Sequence, residues 1–158
     1  MPKKDSFYFI AEISSNHNGS LSEAKKLIKK AKECGAHAVK FHTYDSRDFV
    51  KDDEQYFETS GKINTLNQFN MFKMYELKES YWNKLQMYAK KIKIDFFTTP
   101  SSTKELRYFK LNLFPFIKIG SDDFVYTDLI EEILRYKNKL ILSTGMASLE
   151  EIDSVIKF

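Results

Sequence analysis

Apolar and polar positions along the chain fall into blocks that switch between two periods. The first block, Phe7-Tyr8-Phe9-Ile10-Ala11-Glu12-Ile13, is a near-continuous apolar run with one acid, the pattern of a buried parallel strand. A polar loop follows, Ser14-Ser15-Asn16-His17-Asn18-Gly19. Leu21, Ala24, Leu27, Ile28 and Ala31 then recur at helical spacing. Ser20 and Glu23 have the spacing of a capping box, and Gly35 supplies the stop.

The cycle repeats four times. Ala38-Val39-Lys40-Phe41-His42-Thr43 predicts the second strand. The polar connection over residues 45–62 is long enough to be expected functional, mobile or partly helical. Residues 63–77 predict a helix, and residues 80–91 a firmer one with Trp82, Leu85, Tyr88, Ala89 and Ile92 on one side. Residues 94–99 predict the third strand, ending at Pro100. Ser102 and Glu105 then cap an expected helix that carries Leu106 and Phe109 inward. Residues 116–119 predict the fourth strand, and Thr127 or Asp128 starts a helix with Leu129, Ile130, Ile133 and Leu134. Residues 140–143 predict the fifth strand, and Ser148 with Glu151 caps a helix whose apolar face is Leu149, Ile152, Val155 and Ile156.

Strict strand–helix alternation implies a parallel sheet with helices packed outside it and right-handed crossovers. A doubly wound open sheet and a (β/α)8 barrel both satisfy that pattern. The absence of G-x-G-x-x-G after the first strand takes support from a dinucleotide-binding sheet. Neither an internal repeat nor a linker that would divide two domains is present in the sequence.

Composition removes other classes. At 158 residues, with 42% hydrophobic and 30% charged residues, the chain has the balance of one globular domain or a piece of one. Its 14 Phe and 9 Tyr provide ample core material. Net charge is only +3, with Lys scattered among Asp and Glu, so there is no electrostatic case for nucleic acid or membrane partners. No apolar run approaches the roughly 20 residues of a membrane span, and the one at the N-terminus is too short for a secretory signal. A single cysteine, Cys34, excludes an internal disulfide and a multi-cysteine metal site, and fits the cytoplasm. Cys34 itself reads as a buried packing residue.

Parallel strands present their C-terminal ends on one side of the sheet, where barrel active sites lie. Those ends carry Glu12 with Asn16, His17 and Asn18; Lys40 with His42 and Thr43; Thr98 and Thr99; Lys118 with Ser121 and Asp123; and Ser143 with Thr144. Two lysines inside apolar strands demand an anionic partner. A bound anion would supply it, with Ser and Thr hydroxyls donating to carboxylate or phosphate oxygens. The plainer alternative is a structural network of Lys40 and Lys118 with Glu12 and Asp123. His17 either braces its loop or meets a substrate. His37 is expected at the surface or paired locally. Asp122 and Asp123 are neighbours in a loop, an arrangement that rarely points two carboxylates the same way. Three histidines with no helical pair make no zinc site, and Ser143-Thr144-Gly145 lacks a serine-hydrolase elbow.

Five strand-end segments together carry a family resemblance. Ile10-Ala11-Glu12-Ile13-Ser14-Ser15-Asn16-His17-Asn18-Gly19 resembles the opening of the sialic acid synthase family, N-acetylneuraminate synthase and its relatives. Val39-Lys40-Phe41-His42-Thr43-Tyr44, Thr98-Thr99-Pro100, Ile117-Lys118-Ile119-Gly120-Ser121 and Leu142-Ser143-Thr144-Gly145-Met146-Ala147 continue it in the same order. The resemblance implies a (β/α)8 TIM-type barrel that condenses phosphoenolpyruvate with an N-acyl amino sugar such as N-acetylmannosamine. It implies that Lys40, Thr99, Lys118, Ser121 and Ser143 hold phosphoenolpyruvate and that Glu12 acts near the aldehyde. Asp123, Asn16 and His17 would shape the sugar side. It also implies a divalent metal, Mn or Mg, that polarises the aldehyde, and a homodimer at full length. His42 stands where the family usually has Gln, Ser101 where Phe is common, and Asp122 where Gly is usual.

A complete barrel of this type takes about 250 residues. Residues 1–158 are therefore expected to be the N-terminal portion of a synthase barrel, about five β/α units, with no second domain. The metal-binding histidines are expected beyond Phe158, so no metal ligand is assigned within the chain. The alternatives are a non-catalytic anion- or partner-binding remnant or split-gene subunit, and an aldolase-like barrel using a lysine Schiff base.

Overall fold

The computed structural model describes residues 7–50, 56–59 and 62–158, with residues 56–59 and 62–66 as backbone. Strand β1 (Ile10–Glu12) pairs in parallel with β2 (Ala38–Thr43). The helix α1 (Leu21–Glu33) crosses between them. Ser20 caps α1 by accepting from the Glu23 N–H, and Gly35 follows its end in the left-handed region. Cys34 is exposed at that helix end rather than buried as expected, because the apolar stripe of α1 has already turned away there. His37 is also exposed; its Nδ1 accepts from the Phe9 N–H at 3.0 Å and its ring stacks on Tyr8.

The region after β2 differs from expectation. A single helical turn, α2 (Ser46–Phe49), is capped by Asp45. Strands β3 (Tyr56–Thr59) and β4 (Lys62–Asn67) form an antiparallel pair, and helix α3 (Gln68–Tyr75) begins only afterwards. The helix expected over residues 63–77 thus gives up its first turns to a strand. Ile63 and Thr65, β-branched and alternating, suit a paired strand, and the Asn67 side chain caps α3 at the Asn70 N–H. The rest of the connection, residues 51–55 and 60–61, lies outside the described residues.

Helix α4 (Glu79–Lys91) leads into β5 (Asp95–Pro100), which pairs in parallel with the far side of β2. Two 3-10 turns, Glu105–Tyr108 and Leu111–Leu113, replace the α-helix expected after β5. The buried Leu106 and Phe109, and Leu111 and Phe114, are three apart, the repeat of a 3-10 turn. Gln86 of α4 clamps the segment, donating to Lys110 O at 2.9 Å and accepting from Lys110 N at 3.0 Å. Strand β6 (Ile117–Ile119) lies against β5 and pairs in parallel with β7 (Leu140–Leu142). Helix α5 (Thr127–Arg135) crosses between them, and α6 (Leu149–Lys157) follows β7 with its reciprocal Ser148–Glu151 capping box formed.

The parallel strands thus run in the spatial order β1-β2-β5-β6-β7. One face is covered by helices. There Phe41 stacks on Phe96 at 5.2 Å, meets Trp82 edge-on at 5.8 Å, and connects through Trp82 and Phe96 to Phe109. This aromatic layer fixes the sheet to α4 and leaves the other face for polar groups. Phe41→Ala removes the ring at its centre and is expected to cost about 3–5 kcal/mol of stability. Urea unfolding of the intact gene product, with and without the substitution, checks this.

Candidate active site

Successive residues of a strand point to opposite faces. Because Val39 and Phe41 face the helices, Lys40 and His42 face away from them. Register then sets their neighbours: Glu12 and Phe97 lie opposite Lys40, and Thr99 lies opposite His42. On β6, Ile117 and Ile119 are fully buried in the core, so Lys118 projects to the same open face as Lys40.

Lys40 is only 7% exposed. Its ammonium is 2.6 Å from Glu12 Oε2 and donates to Thr99 Oγ1 at 3.3 Å. The other oxygen of Glu12 accepts from the Ser14 hydroxyl at 2.6 Å and from the Ser14 N–H at 3.1 Å. That clamp uses Ser14 in the left-handed region, at φ 39°. Glu12 is thereby aimed by its own loop and remains half exposed.

Lys118 makes no hydrogen bond or ion pair among the described residues. Burial, and then the positive charge of Lys40, hold its amine below the ordinary lysine range, while Glu12 and Asp122 act in the opposite direction. His42 is pushed down to about 4, first by burial and then by Lys40, so it is neutral near pH 7. Its Nε2 lies 3.2 Å from the Ser101 hydroxyl, and the rings of Tyr44 and Phe49 meet it edge-on.

The remaining expected residues divide. Thr99 is in the cluster. The Ser143 N–H continues the β6–β7 ladder to Ile119 O at 3.2 Å, which sets Ser143 beside the end of β6. Ser121 is there too, its hydroxyl 3.9 Å from where a Gly145 Cβ would stand. Asn16 is exposed, and its amide donates to Ile13 O at 2.9 Å within its own loop. His17 is 2% exposed, stacks on the helix-side face of Phe41, and accepts from the Gly19 N–H through Nδ1 at 3.1 Å. It braces the loop, with its ring against Phe41 rather than among Lys40, Glu12 and Thr99. The apolar layer that receives Phe41 receives His17 as well.

The two neighbouring carboxylates both lie beside Gly120: Asp122 Oδ1 stands where its Cβ would, and Asp123 Oδ2 is 3.8 Å from that point. The charge of Asp122 reaches Lys118 and His42. Asp123 is pushed up to about 6 by burial, then by Asp122 and by Glu105. Its Oδ2 is buried and unpaired among the described residues, as is Oε1 of the fully buried Glu105. Glu105 accepts from the Ser102 N–H at 2.6 Å through its other oxygen. His42 reads at the end of β2 and Asp122 as a neighbour of Asp123, but the sequence assigns neither a role in the site. Asp122 gave no periodic signal, because it comes from a loop.

Among the described residues, no three His, Cys, Asp or Glu side chains are grouped to hold a metal ion. No helix among them is long and apolar enough to cross a membrane.

Parallel strands with crossover helices, and polar groups gathered at their C-terminal ends, define the class as an α/β protein of barrel type. The particular family follows from comparison: the NeuB family model matches residues 27–158, and the chain belongs to that family. It is 36% identical over 155 residues to an uncharacterised protein of Methanocaldococcus jannaschii, covering 98% of this chain and 42% of that protein. It is 34% identical over 152 residues to N,N'-diacetyllegionaminic acid synthase of Campylobacter jejuni, covering 93% of this chain and 45% of the relative. The fold matches the crystal structure of N-acetylneuraminic acid (sialic acid) synthetase from Leptospira borgpetersenii with a TM-score of 0.81 and 27% identity, over 97% of this chain and 50% of that one. The chain thus spans under half the length of these curated relatives.

The buried His17 gives a pH prediction. Burial pushes it down to about 4, whereas in the unfolded chain it protonates near 6.5. Between those values the unfolded state binds more protons, so stability is full above about pH 6.5 and falls as the pH drops toward 4. The His17 share of the loss between pH 7 and 5 is on the order of 2 kcal/mol. His17→Asn keeps an acceptor for Gly19 but cannot titrate. It is expected to flatten the fall in urea-unfolding free energy between those pH values.

Proposed function

We propose that this chain is the N-terminal portion of a (β/α)8 barrel in a sialic-acid-type synthase. The enzyme would condense phosphoenolpyruvate with an N-acyl amino sugar such as N-acetylmannosamine to give a nine-carbon 2-keto sugar acid and phosphate. The observation that carries this reading is the lysine pair: Lys40 nearly buried with Glu12 and Thr99, and Lys118 half-buried on the same face without an ion-pair partner among the described residues. A partly buried ammonium at a strand end with no carboxylate in contact suits an anionic ligand. Family membership and the synthase relatives support the choice of anion and co-substrate.

In this reading Lys40 and Lys118 face the carboxylate and phosphate of phosphoenolpyruvate, and Thr99, Ser121 and Ser143 donate to their oxygens. The methylene carbon of phosphoenolpyruvate forms a bond to the aldehyde carbon of the open-chain sugar with the electron pair of its C=C bond, and the aldehyde oxygen takes a proton. Water adds at the neighbouring carbon, which carries the phosphate oxygen, and gives up a proton; the tetrahedral intermediate breaks its C–O bond to phosphate, leaving the keto acid. Glu12, clamped by Ser14, orients the aldehyde or carries a proton to it. Asp123 and Asn16 contact sugar hydroxyls. A divalent metal supplies Lewis acidity toward the aldehyde in this family, but the residues described here do not form its site. No step assigned to them passes through it.

Lys118→Ala in the intact gene product is expected to lower phosphate release from phosphoenolpyruvate and N-acetylmannosamine by on the order of a hundredfold or more. Wild-type release by that variant removes Lys118 from the site. The depressed amine of Lys118 favours one other reading, a Schiff-base lysine. Borohydride treatment with pyruvate is expected to leave no adduct, and a trapped adduct on Lys118 would replace the condensation with aldolase chemistry.

A further inference from the structure

The end of β6 holds a carboxylate that the lysine pair does not require. Gly120 follows β6 directly, two residues after Lys118, and is buried. The space beside its Cα is already filled: Asp122 Oδ1 stands where a Gly120 Cβ would, with Asp122 Cγ 3.4 Å and Asp123 Oδ2 3.8 Å from that point. The loop thus folds Asp122 back over the strand end, into space that a side chain at 120 would take. Asp122 makes no ion pair with either lysine, yet its charge acts on both Lys118 and His42.

We propose that Asp122 is a positioning residue that competes with the substrate anion: folded into the Gly120 gap, it supplies negative charge to Lys118 and sets the affinity for an incoming anion by opposing it. The inference rests on the reading of the lysine pair as the phosphoenolpyruvate site. An anion that enters between Lys40 and Lys118 meets the Asp122 carboxylate at the β6 end, and either displaces it or is repelled by it. A neutral sugar meets no such opposition. The carboxylate acts through Lys118 and touches no reacting bond.

The test measures dissociation constants of phosphoenolpyruvate, inorganic phosphate and N-acetylmannosamine by calorimetry on the intact gene product. Asp122→Asn keeps shape and removes charge. It is expected to tighten both anions by three- to tenfold and to move the sugar by less than twofold. Asp122→Glu restores the charge and is expected to return the anion affinities toward wild type. Gly120→Ala, which expels the carboxylate while keeping it in the chain, is expected to tighten the anions as Asp122→Asn does. Unchanged anion affinities in Asp122→Asn, with binding abolished in Lys118→Ala, overturn the role of Asp122 and leave the lysine site standing. An equal shift for anions and sugar means a disturbed loop and also overturns it. If Lys118→Ala binds both anions like wild type, the reading of the lysine site fails, and the role of Asp122 with it.

Discussion

A lysine in the middle of a buried parallel strand sets the terms for the rest of this structure. Ammonium groups are costly to strip of water unless negative charge and hydrogen-bond acceptors replace the water. Lys40 meets that constraint with two neighbours fixed by register, Glu12 from β1 and Thr99 from β5. Three strands must therefore be aligned to within one residue, since a slip by one would turn Lys40 into the aromatic layer and Phe41 out of it. The charged contact and the apolar packing select the same register.

The pleat also divides labour between the faces. Phe41, Phe96, Ile117 and Ile119 bind the sheet to the helices. Lys40, His42, Thr99 and Lys118 are left on the other face, where Phe49 of the short helix α2 reaches only His42. His17 shows how strict the division is. It sits in a loop rich in polar groups near the strand ends, yet its ring is drawn onto Phe41 and its titration is suppressed. The residues that remain on the open face are those whose side chains leave a strand in the right parity or, like Asp122, return from a loop.

That parity explains what the sequence made legible. The five parallel strands were readable to within a few residues, because each is a short apolar run bounded by turn or capping residues. Ser20 and Ser148 marked their helices correctly for the same local reason. The errors came where long-range partners decide. Residues 62–67 became a strand because β3 pairs with them. The segment after β5 tightened into 3-10 turns that fit its three-residue apolar spacing and the Gln86 clamp. In the site, Lys40, Glu12, Thr99 and Lys118 followed from strand ends, whereas the direction of a loop side chain did not. Asp122 and Asp123 are adjacent and chemically alike, and the fold brings both carboxylates to Gly120, yet the charge of Asp122 acts on Lys118 while burial pushes Asp123 up.

The charge balance of the open face follows from these placements. Lys40 is matched by Glu12 in direct contact, while Lys118 is matched only through space, by Glu12 and Asp122. His42 adds no positive charge near pH 7, because burial and Lys40 keep it neutral. The open face is therefore close to neutral overall but unevenly satisfied, with Lys40 tied and Lys118 without a carboxylate in contact. A ligand with two separated negative groups suits that asymmetry better than a single small anion, since one end can share Lys40 with Glu12 while the other takes Lys118 for itself. A site with two tied lysines would have to break an ion pair before it could take an anion, and one with two bare lysines would leave the nearly buried Lys40 ammonium uncompensated at a cost to stability.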